Sequence, residues 1–91
     1  MFGSGRNKEL REARAHAMEC NLMLRMGLRR LEHKARREGD TALASRMRDQ
    51  RRRALSQRKA IDRATDPAVM RDAADDWQGA LSAAMWEAGE I

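Results

Sequence analysis

Apolar side chains return every three or four residues along most of this chain, with polar ones filling the gaps. The cleanest run is Leu10, Ala13, Ala17, Cys20, Leu24, Leu28, Leu31 and Ala35. At about 3.6 residues per turn these positions share one side of a single helix. Asn7 is the expected N-cap, because its side chain can accept from the free amides of a first turn. Lys34, Arg36 and Arg37 cluster where cations suit the negative pole of the helix dipole. Gly39 then supplies the left-handed residue that ends many helices. The pattern predicts a first helix over about 7–38.

Asp40 or Thr41 opens a second helix, predicted over about 41–64. Its seam is Leu43, Met47, Gln50, Ala54, Gln57 (or Arg58), Ile61 and Ala64. That stripe is narrow and partly polar, closer to a coiled-coil seam than to a broad core face. Asp66-Pro67 marks the sharpest boundary. Proline disfavours a helical residue before it and suits the first position of a new helix, which Asp66 can cap. The third helix, over about 67–88, carries Met70, Ala73, Trp77, Ala80, Leu81, Ala84 and Ala88 on one face, and Gly89 ends it. No alternating strand pattern and no internal repeat is visible. The expected fold is all-α: a long antiparallel helical hairpin plus a C-terminal acidic helix, forming a three-helix, bundle-like single domain over 7–91. Residues 1–6, with Gly3, Ser4 and Gly5, read as a flexible leader.

Charge adds a division that periodicity does not show. Residues 1–63 hold 18 of the 19 Lys and Arg side chains against 8 acidic ones. Residues 64–91 hold Arg71 alone against six carboxylates, three of them at Asp72, Asp75 and Asp76. A cationic hairpin is thus joined to an acidic helix. The core material is thin as well. Charged residues make up 36% of the 91 positions, above the usual ~25%, and much of the apolar fraction is alanine. A chain this short buries only about 60–65% of its unfolded surface, so self-association or a partner is the expected source of extra stability.

The first helix carries more apolar surface than one neighbour can cover. Ala15, Met18, Leu22 and Met26 lie opposite the main stripe, with Met23 beside them. A helix apolar nearly all round must be covered nearly all round. Methionine-rich surfaces suit adaptable contacts. Trp86 sits opposite Trp77, beside Gly79 and Ala83, as a large aromatic on a small-residue face. Met18, Leu22, Met23, Met26 and Trp86 are therefore the candidate protein-interface residues. Trp77 reads as plain core.

The second helix offers a different surface. Arg48, Arg52, Lys59 and Arg63 line one of its faces, while Arg46 and Arg53 flank the other side of the seam. Arginine forks bind phosphate oxygens bidentately, so this stripe is a candidate nucleic-acid contact for which the acidic third helix would compete. No aromatic platform for unpaired bases accompanies it. Two DNA-binding motifs fail. A helix-turn-helix would need apolar residues at Lys34, Glu38 and Ser45, and a basic leucine zipper would have to run on past Pro67.

Catalytic and metal readings have little support. Glu12, His16 and Cys20 share one face, but no matching set lies elsewhere, and half-buried packing explains them. No convergent acid, base and nucleophile is apparent, so no enzymatic activity, cofactor or small-molecule substrate is expected. No apolar run approaches the ~20 residues that span a bilayer. The N-terminus lacks the apolar centre of a secretory signal. Cys20 as the only cysteine fits a reducing compartment, and the expected location is cytoplasmic. The sequence reading is a helix-mediated interaction or assembly module, self-associating or docking to a larger complex. Its alternative is sequence-independent nucleic-acid binding through the second helix.

Overall fold

The computed structural model describes residues 4–91 and consists of three helices: α1 (Ser4–Arg37), α2 (Thr41–Arg63) and α3 (Pro67–Glu87). No strand occurs among the described residues. The ends follow the capping chemistry. Asp40 caps α2, its carboxylate accepting from the Leu43 amide at 3.0 Å, and Asp66 caps α3 from the Ala68 amide at 2.9 Å. Gly39 and Gly89 adopt φ of 78° and 76°. At each glycine the next residue's amide reaches back five positions: Asp40 to the Ala35 carbonyl and Glu90 to the Met85 carbonyl. These are Schellman closures, which satisfy carbonyls the helix leaves free.

One boundary departs from expectation. α1 begins at Ser4, so Asn7 lies inside the helix and does not cap it. Ser4, Gly5 and Arg6 are its first turn, and the remaining three residues of the expected leader lie outside the described ones. Glycine costs a helix about 1 kcal/mol and serine less, and neither forbids it as proline does. The other ends fall within one residue of the predicted positions.

α1 is the spine. α2 packs along one side of it and α3 along another, while α2 and α3 meet only sparsely. The molecule is long and flat, 57 × 23 × 14 Å. The predicted stripes form the core: Ala13, Ala17, Cys20, Leu24, Leu28, Leu31 and Ala35 from α1 meet Met47, Ala54 and Ile61 from α2 and Met70, Trp77 and Ala84 from α3, all buried. Ala44 and Ala74 join them from off the predicted stripes. Gly27 sets the approach of α3. A Cβ there would come within 2.5 Å of a Leu81 methyl, so the missing side chain makes room for that leucine. Trp77 donates its indole N–H to Gln57 Oε1 at 2.9 Å, a direct bond between the two outer helices.

The C-terminal turn is tied back to α1. Glu90 accepts from Arg30 Nη1 at 3.0 Å and from Lys34 Nζ at 3.2 Å. Those hydrogen bonds, first Arg30's and then Lys34's, hold the Glu90 carboxyl below its ordinary range. A carboxyl lowered in the folded state contributes stability above its unfolded pKa, about 4.3, and loses it as pH falls through the lower folded value. An NMR titration of the Glu90 side chain should give a midpoint below the ordinary value, and Arg30→Ala should raise it. A midpoint at or above the ordinary value excludes the tether.

Candidate functional site

The interface residues expected on α1 separate into two settings. Leu22 and Met26 stay 45% and 58% exposed and lie on the side of α1 next to α2. There they form the floor of a groove of about 370 Å³ with Leu55 of α2, itself 47% exposed. Met18 is half-buried against the core. Met23 points to the opposite flank and lines a second groove of about 330 Å³ between α1 and α3, beside Trp77 and Leu81. Trp86 lines neither groove and is 73% exposed on the outer side of α3. The structure therefore brings Leu22 and Met26 together and leaves Met18, Met23 and Trp86 apart from them.

Four guanidinium groups rim the α1–α2 groove, from Arg25, Arg29, Arg51 and Arg52, and no carboxylate lines it. Two of them are fixed from behind by buried polar groups. Asn21, fully buried, donates to the Ala54 carbonyl at 2.9 Å, and its Oδ1 accepts from Arg25 Nε at 2.7 Å. Glu32, 2% exposed, accepts from Arg51 Nη2 at 2.9 Å through one oxygen and pairs with Arg36 through the other. A buried carboxylate needs this double pairing, because desolvation penalises it otherwise. Arg29 and Arg52 take part in no ion pair among the described residues. The rim is thus two positioned cations and two unneutralised ones around an apolar floor.

Asn21, Glu32 and Leu55 were not singled out by sequence reasoning. A signal existed for each. Asn21 and Glu32 border the main stripe one turn from Ala17 and Leu28, where a polar residue must find a partner. Leu55 is a leucine off the seam of an otherwise charged helix.

The other sequence candidates are placed as follows. Arg48 is half-buried, donates to Ser45 Oγ at 3.4 Å and lies 3.8 Å from Asp49. Arg52 belongs to the groove rim, and Lys59 and Arg63 are exposed further along α2. α3 does not lie over this face. Its ion pairs run elsewhere, from Glu87 to Arg46 and from Arg71 to Glu9, while Asp72, Asp75 and Asp76 pair with nothing among the described residues. Cys20 Sγ accepts from Gln78 Nε2 at 3.4 Å and touches the His16 ring at 3.7 Å, a half-buried packing contact between α1 and α3. No cluster of three or more metal-capable side chains occurs among the described residues, and no described helix is long and apolar enough to cross a membrane. Comparison with protein-family models, curated proteins and solved structures gives no match.

Proposed function

We propose that this chain is a non-enzymatic helix-docking module that receives an acidic amphipathic helix in the α1–α2 groove. The observation that carries the reading is the groove's composition. Leu22, Met26 and Leu55 are three large apolar side chains left in water together, under four arginines and no carboxylate. Apolar contact with cationic flanks is the complement of a helix with an apolar stripe and acidic edges. Backbone phosphates would use the rim and leave the floor wet. Nucleic-acid binding remains the second reading, because Arg52, Lys59 and Arg63 are exposed and take part in no ion pair among the described residues.

One pair of titrations separates the two. A labelled synthetic helix with leucines at heptad spacing and glutamates beside them serves as the first probe. A mixed-sequence DNA duplex serves as the second. The peptide should bind with a Kd on the order of 10 μM, and Leu22→Glu should weaken it at least about tenfold while helix content is unchanged. The duplex should bind weakly or not at all. A duplex affinity falling ~10²-fold between about 0.05 M and 0.2 M salt, without peptide binding, reverses the assignment. Unfolding of the Leu22→Glu chain would make Leu22 core. Leu55→Glu then tests the groove from its other wall.

A further inference from the structure

We infer that the occupant of the α1–α2 groove is the outer face of α3 from a second copy of this chain, an inference that rests on the groove being a docking surface. Val69, Asp72, Asp76, Gly79, Ala83 and Trp86 recur at alternating three- and four-residue steps. That is the spacing of a helix seam. All six are exposed; Asp76 also borders the cleft between α2 and α3 beside Trp77 and Arg53, and the others lie away from Met70, Ala74, Trp77 and Ala84, which face α1. α3 therefore carries two stripes. One is used inside the molecule and one is not.

The unused stripe matches the groove in two respects. Its charge is opposite: Asp72 and Asp76, with Asp75 beside them, are free carboxylates facing a rim of four free or positioned guanidiniums. Its shape fits as well. Gly79 and Ala83 add almost no bulk, and the space at Gly79 is open, so another backbone can come close. Trp86, 73% exposed, is then a projecting apolar knob for the floor of Leu22, Met26 and Leu55.

Charge excludes the symmetric alternatives. Groove against groove would set eight arginines together, and stripe against stripe would set six aspartates together. Only groove against stripe pairs opposite charges. Within one molecule this contact does not form, because only α1 and α2 line the groove and α3 packs elsewhere on α1. Each copy keeps one free groove and one free stripe, so copies join groove to stripe, closing into a reciprocal dimer or ring or running on as a filament according to the rotation between them.

Complementation in sedimentation velocity tests this. Leu22→Glu removes the groove floor and keeps the stripe, while Trp86→Lys removes the knob and keeps the groove. Both positions are exposed, so both chains should retain native helix content. The wild-type chain should self-associate over roughly 10 μM to 1 mM, and added salt should weaken the association several-fold. Each variant alone should stay monomeric. Mixed, they should form a one-to-one heterodimer that grows no further, because the only remaining groove meets the only remaining stripe. A wild-type chain that stays monomeric throughout overturns the inference, as does a dimer that fails to form from the mixed variants. If the monomeric chain still binds the acidic peptide, the docking reading stands and only its occupant is wrong. If peptide binding is absent too, both fall.

Discussion

Trp77→Ala should cost this protein about 3–5 kcal/mol, the largest loss available from one side chain here. The indole is 4% exposed and is the only buried aromatic among the described residues. It borders both the groove between α1 and α3 and the one between α2 and α3. Its neighbours on α3 are mostly alanines, which cannot expand into the cavity. A domain of this size has a total stability of roughly 5–14 kcal/mol. The loss is therefore a large share of the whole. Urea unfolding followed by far-ultraviolet circular dichroism reads it directly. Trp77→Phe separates packing from polarity, since it keeps most of the ring and removes only the bond to Gln57. Gln57 is exposed and can turn to water, so Phe should cost no more than about 2 kcal/mol. An alanine cost below about 1 kcal/mol would mean that α3 is not held by this contact.

The second large effect is non-additive. Arg51→Met removes one of the two partners of buried Glu32 and should cost about 2–3 kcal/mol, below the usual 3–5 for a broken buried pair because Arg36 remains. Glu32→Met leaves Arg51, about one-third exposed, able to turn to solvent, and should cost about 1–2 kcal/mol. The double variant replaces a desolvated charge pair by apolar volume. It should be at least about 1 kcal/mol more stable than the sum of the singles predicts. Additivity within ~0.5 kcal/mol would show that the two are uncoupled. Arg51 also rims the groove, so the double variant should bind the acidic peptide more weakly while folding well. That outcome separates the residue's two roles.

The sequence by itself determined the three helices, their order, the Asp66 cap of α3, the cap of α2 to within one residue, and both glycine closures. It also determined which side of each helix is buried. These are local properties. Backbone preference acts within one turn, and a period of about 3.6 residues assigns each side chain to a face of its own helix. The charge division between hairpin and third helix was equally readable, as was the surplus apolar face of the first helix. The start of α1 was not, because glycine and serine make a helix costly without forbidding it, and so leave its first turn undetermined.

Only the tertiary structure decided what those faces meet. Leu22, Met23 and Met26 are near neighbours in sequence, yet Leu22 and Met26 face α2 and Met23 faces α3. Leu55 became part of the site because α2 sits at one azimuth and one height against α1. Asn21 and Glu32 fix that height through bonds to Ala54 and Arg51 across the hairpin. Helical period constrains rotation about a helix's own axis. It says nothing of the position of the helix beside it, which depends on side-chain contacts between residues far apart in the chain. For the same reason the acidic helix, legible as a competitor for the arginines, packs on α1 through Trp77 and Leu81, meets those of α2 in one ion pair, Glu87 with Arg46, and leaves Asp72, Asp75 and Asp76 without an ion pair among the described residues.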